Sequence, residues 1–129
     1  MATNTVRQLR SPRAFLLTAE TALGHPIEVV SGREEARLIY LGVANGIPRS
    51  KQRRLVVDIG GGSTELIIGE GLAAKRLDSL YIGCVSMSAQ HFADGVVTEK
   101  RMKRARTTAQ LEIEPVMARF RRPGWETAI

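Results

Sequence analysis

Residues 56–71 read VVDIGGGSTELIIGEG, three consecutive glycines between two apolar runs, with Asp58 before them and Ser63, Thr64 and Glu65 behind. The flanking runs, LVVDI and ELIIGE, have the composition of β-strands, so the glycines read as a strand-to-strand loop. Three glycines in a row cost conformational entropy. They imply a backbone that takes φ > 0 or approaches something closely without a Cβ in the way. A phosphate fits that description: successive N–H groups can face one concavity, and the hydroxyls of Ser63 and Thr64 add donors. Gly60, Gly61, Gly62, Ser63 and Thr64 are therefore the candidate phosphate-binding residues. A plain hairpin turn is the alternative. No Lys follows the glycines and no G-x-G-x-x-G opens a helix, which excludes the Walker and dinucleotide-binding loops.

Carboxylates beside a phosphate repel it unless a cation lies between, and Mg²⁺ held by one or two carboxylates plus phosphate oxygens is the natural solution. Asp58 and Glu65 are accordingly candidate metal or water-positioning residues, with capping or pairing with Arg53 and Arg54 as the alternative.

Working outward, PRAFLLTAETALG from Pro12 to Gly24 predicts a helix with proline in its first turn and glycine at its stop. HPIEVVS predicts a strand. Ser31 and Glu34 have capping-box spacing at the head of a second helix. GIPRSKQRR reads as a polar connector, and KRLDSLYIGCVS as a third strand that would bury Cys84 as a small hydrophobe. From Thr98, a plausible N-cap, apolar residues recur at helical spacing through Phe120, with Pro115 expected to kink or break the helix. The order of elements predicts α/β architecture.

The 129 residues carry 19 Lys and Arg against 13 Asp and Glu, a net charge of +6 that favours polyanionic partners. No apolar run approaches the roughly 20 residues of a membrane helix, and the first residues lack a signal peptide's apolar centre. The expectation is a cytoplasmic protein with no membrane partner. One cysteine and two histidines provide neither an internal disulfide nor a zinc-ligand spacing. Lys100, Arg101, Lys103, Arg104 and Arg106 crowd the start of the last helix, and Arg119, Arg121 and Arg122 its end. These are either a solvated face or a polyanion track. Aromatic residues make up 5%, so base stacking on a nucleic acid is not expected.

SGREEARLIYLGV, LVVDIGGGSTELIIGEG and YIGCVSMSAQHFADG, in that order, resemble segments of the exopolyphosphatase / guanosine pentaphosphate phosphohydrolase (Ppx/GppA) family of the actin-like ATPase superfamily. The resemblance implies a ribonuclease-H-like α/β fold of two lobes with the site in the cleft between them. It implies release of terminal orthophosphate from inorganic polyphosphate, or of the 5′-γ-phosphate of guanosine pentaphosphate, with Mg²⁺. It places the catalytic glutamate on Glu35, makes DIGGGST the second phosphate loop, and sets Arg7 near the cleft. A Glu34 occupied in the capping box would leave Glu35 free to face that cleft.

No Asp-Leu-Gly-Ser-Asn loop occurs early in the chain, and no Gly-Ala-Ser-Gly segment follows GWETAI. Both ends are thus expected to lie inside a domain, with residues 1–38 ending the first lobe and 39–129 beginning the second. Self-association through exposed strand edges is expected of such a piece, and a homo-oligomer, a dimer, of the full-length family. Rival readings are a sugar or acetate kinase of another actin-like branch, and a non-catalytic module binding polyphosphate or a guanosine alarmone.

Overall fold

The computed structural model describes residues 1–48 and 51–129. Its elements run α1 (Asn4–Arg7), α2 (Pro12–Leu23), α3 (Gly32–Gly46), β1 (Arg53–Ile59), β2 (Thr64–Glu70), β3 (Ala73–Leu80), α4 (Cys84–His91), α5 (Glu99–Arg121) and β4 (Thr127–Ala128). The four strands form one mixed sheet in the order β3-β2-β1-β4. β1, β2 and β3 are successive antiparallel neighbours, and β4 lies parallel to β1.

The sequence ELIIGE alternates its side chains between two covers, and Ile67 and Ile68, adjacent in β2, go to opposite faces. Ile67 packs with Ala36, Tyr40 and Ala44 of α3, and with Val56. Ile68 packs with Val116 and Phe120 of α5, and with Leu80 and Ile82. This two-residue period sandwiches the sheet between α3 and α5. Truncating either isoleucine to alanine would cost about 2–5 kcal/mol, the usual range for a core side chain.

Local signals placed several boundaries. Gly24 ends α2 at φ 73°, its N–H bonded to the Glu20 carbonyl. The hydroxyls of Ser31 and Thr98 accept from the amides of Glu34 and Arg101, as N-caps should. Only half of the expected capping box forms, because the Glu34 carboxylate takes a fork of bonds from Arg37 at 2.7–3.1 Å instead of returning to its cap. A full guanidinium partner one turn away outcompetes a single backbone amide.

Four expectations are corrected. HPIEVVS forms no strand; it makes one parallel bridge, Val29 with Ala2, since only the N-terminal residues lie beside it. The third strand ends at Leu80, and Cys84 opens α4, where it is exposed rather than buried. The chain leaves the sheet after Leu80, so strand alternation no longer governs Cys84. α5 continues through Pro115 from Glu99 to Arg121, so the proline does not break the helix. The helix is anchored on both sides of the proline, by Ala105 before it and by Val116 and Phe120 after it, all buried. The connector of residues 46–54 includes Arg49 and Ser50, which lie outside the described residues. The boundary at residue 38 falls within α3, which packs along β2 and β3. No helix among the described residues is long and apolar enough to cross a membrane.

Candidate active site: a glycine loop facing an acid on α3

The glycine loop joins β1 to β2 and is closed by the Gly60 N–H, which donates to the Ser63 carbonyl at 2.9 Å. None of Gly60, Gly61 and Gly62 has positive φ. Close approach, the second of the two expected reasons, applies at Gly60 and Gly62, whereas a Cβ on Gly61 would make only an ordinary contact with Val85 at 3.5 Å. The carbonyls of Gly60 and Gly61 accept the amides of Cys84, Val85 and Ser86 at 2.9–3.0 Å, so the loop caps the first turn of α4. A Cβ on Gly83 would sit 2.5 Å from the backbone of Gly61 and Gly62, and one on Gly62 would sit 2.3 Å from Asn4 Nδ2. With its carbonyls committed to α4, the loop leaves the N–H groups of Gly61, Gly62 and Ser63 with no backbone acceptor among the described residues.

These residues line a cleft of about 910 Å³. Gly60, Gly61, Gly62 and Ser63 line it together with Glu35, Asn4 and Thr5, and with Tyr81, Val85 and Ser86 of the β3–α4 region. Glu35 reaches the cleft from the first turn of α3. Its Oε2 accepts from Arg7 Nη2 at 3.1 Å, while Arg7 Nη1 donates to the Val30 carbonyl at 2.6 Å. Arg7 thus ties α1 to the candidate base. Oε1 of Glu35 makes no hydrogen bond among the described residues.

Asp58 and Glu65 stand opposite one another across β1 and β2, and Ser79 extends the row onto β3. Directly opposed residues point to the same face. Glu65 is 1% exposed, and its Oε1 accepts from the Ser79 hydroxyl at 2.7 Å. Burial pushes the Glu65 carboxyl above the ordinary carboxylate range; hydrogen bonds from Ser79 and Ser63 oppose the rise, and the charges of Glu35 and Asp58 add to it. Asp58 is exposed. Neither acid pairs with Arg53 or Arg54, which bond instead to the carbonyls of Pro123 and Pro48 at the far end of the strands.

Thr64 turns away. Its hydroxyl donates to the Ile82 carbonyl at 2.7 Å, and its side chain borders an apolar cavity on the α5 side of the sheet. Strand alternation sends Ser63 and Glu65 to one face and Thr64 to the other. The cleft therefore brings together Glu35 and Gly60 to Ser63, with Arg7 behind Glu35 and Glu65 buried below, while Thr64 lies on the other face. Reading the sequence missed Asn4, Tyr81 and Ser86 as cleft residues. Tyr81, an aromatic residue immediately after β3, was the one signal available.

Among the described residues no three His, Cys, Asp or Glu side chains converge on a point. Neither Asp58 nor Glu65 lines the cleft itself, and an Mg²⁺ ion held by few protein oxygens takes the rest of its shell from phosphate and water.

Solved structures share this fold. The chain is 30% identical to an Aquifex aeolicus PPX-GPPA enzyme, with a TM-score of 0.74 over 98% of this chain and 40% of that one. It is 32% identical to an exopolyphosphatase-like protein, TM-score 0.82, over 88% of this chain and 37% of the other. An exopolyphosphatase from Cytophaga hutchinsonii is 26% identical, with a TM-score of 0.75 over 88% and 36%. The chain thus spans about 40% of the length of the Aquifex structure. The model of the Ppx/GppA phosphatase family matches residues 1–129, and the chain belongs to that family.

Proposed function

We propose that the cleft receives the terminal phosphates of inorganic polyphosphate or guanosine pentaphosphate and that the protein containing it releases orthophosphate by hydrolysis. The observation that carries this reading is the placement of Glu35 and the glycine loop on one cleft. The N–H groups of Gly61, Gly62 and Ser63 would bind phosphoryl oxygens and stabilise charge developing on them. Glu35, held through Oε2 by Arg7, presents Oε1 to accept a proton from the attacking water. The names of the structural relatives, a PPX-GPPA enzyme and an exopolyphosphatase, support this substrate class.

Asp58 and Glu65 are the residues that would hold Mg²⁺, directly or through water. When bound, the ion would neutralise charge on the phosphate oxygens and relieve the mutual repulsion of Glu35, Asp58 and Glu65.

The test is orthophosphate release from long-chain polyphosphate with Mg²⁺, for the chain and for Glu35→Gln, alongside calorimetric binding of pyrophosphate. Release that falls at least a hundredfold in Glu35→Gln, with binding retained, supports the reading. Binding without release by either would favour a non-catalytic module, and ADP formation from ATP and an acceptor would favour a kinase.

A further inference from the structure

On the other side of α3 from the cleft lies a second groove, about 980 Å³ in volume, along the outer edge of β3. Three separate parts of the chain deliver cations to it: Arg33 from α3, Lys75 and Arg76 from β3, and Arg119 and Arg122 from the end of α5. No carboxylate lines it. Arg119 pairs with Asp78, but Arg33, Lys75, Arg76 and Arg122 form no ion pair among the described residues.

Ordinary reasons account for part of this. Lysine on an edge strand discourages unwanted pairing, and arginines suit a helix C-terminus. Neither reason reaches Arg33, in the first turn of α3, where the positive end of the helix dipole disfavours a cation. Nor does either explain why the uncompensated charges converge on one hollow. Like charges gathered this way repel one another until an anion lies between them.

We propose that this groove is a binding site, outside the cleft, for a linear chain of phosphates. Four of its five cations are guanidinium groups, whose planar forks match phosphate oxygens. Its single aromatic residue, Phe120, is 6% exposed and offers no face for stacking bases, which sets nucleic acid aside. Arg33 and Glu35 are two residues apart on the same helical turn, so cleft and groove flank one element, and a long chain held at its end in the cleft has a second hold nearby. The choice of phosphate chain as ligand rests on the function proposed above; the positive groove does not.

The experiment measures binding of long-chain polyphosphate, pyrophosphate and a single-stranded RNA of matched charge. The proteins are the full chain and the Lys75→Ala/Arg76→Ala/Arg122→Ala variant, all three positions being exposed. The expected result is at least tenfold weaker binding of long polyphosphate by the variant. The slope of log affinity against log salt should also be shallower by about 2, as loss of three phosphate contacts requires. Pyrophosphate, too short to leave the cleft, should bind both proteins equally. Unchanged long-chain affinity overturns the groove while leaving the cleft reading intact. Loss of long-chain binding in the variant, with no pyrophosphate binding by either protein, supports the groove and removes the cleft reading. RNA bound as tightly as polyphosphate and lost in the variant overturns the assignment to a phosphate chain.

Discussion

Arg7 and Glu35 meet at 3.1 Å across 28 residues of sequence, and the same guanidinium donates to the Val30 carbonyl at 2.6 Å. Arg7 thereby fixes the rotamer of Glu35 and the turn that leads into α3. Both side chains of the pair are about one-fifth exposed, so screening by solvent is incomplete. Arg7→Ala removes one ion pair and leaves the carbonyl of Val30, a residue 6% exposed, without its side-chain donor. We expect a loss of about 1–3 kcal/mol in urea unfolding. Arg7→Lys should recover only part of it, since an ammonium cannot span both acceptors as the fork does. Equal stability of Arg7→Ala and the parent chain would show that the pair contributes nothing.

Gly83 is the position where a single methyl group tests the loop. Its φ of −152° is open to any residue, so backbone strain does not explain the glycine. The obstacle is the backbone of Gly61 and Gly62, 2.5 Å from where a Cβ would stand. Backbone cannot swing aside as a long side chain can. Gly83→Ala should cost about 1–3 kcal/mol, as overpacking does, and shift the amide resonances of Gly61, Gly62 and Ser63. Pyrophosphate binding should weaken in step. An alanine variant with parental stability and unmoved loop amides would contradict the packing described here.

The parts of the fold that were legible in the sequence are those whose causes are local. Ser31, Thr98 and Gly24 announce helix ends because a cap is made within a few residues of its signal. The apolar run in ELIIGE announces a strand. α4 was not legible, because its first N–H groups are satisfied by the carbonyls of Gly60 and Gly61, more than twenty positions earlier, and its N-cap, Gly83, has no side chain to mark the start. HPIEVVS has strand composition but lacks a full-length neighbour, and composition cannot supply one. In the site, Glu35 was placed by family resemblance. The residues alone suggested only that Glu34 was otherwise engaged, and it is, by Arg37 rather than by its cap. The transfer of Thr64 ignored the strand period that separates it from Ser63 and Glu65.

Cys84 carries a direct check of the β3–α4 boundary. A strand continuing through Cys84 would bury the thiol, whereas the first residue of α4 leaves it exposed. The native chain should therefore react with a maleimide at a rate within about tenfold of its urea-unfolded form, as exposure of a thiol without burial implies. Protection by several orders of magnitude would restore the strand reading.

Glu65 sets the last expectation, through pH. Burial raises its carboxyl above the ordinary value of about 4.3, so near that pH the native state binds the proton more tightly than the unfolded chain does. Stability from this group is full below the unfolded value and is lost as pH rises through the folded one. Glu65→Gln keeps the shape and an acceptor for the Ser79 hydroxyl but removes the charge facing Glu35 and Asp58. In the absence of divalent cations the variant should gain stability relative to the parent between pH 4 and pH 8. Urea unfolding at the two pH values measures that change. A difference between parent and variant that stays constant with pH would mean that Glu65 titrates alike in the folded and unfolded chains, and that its burial carries no electrostatic cost.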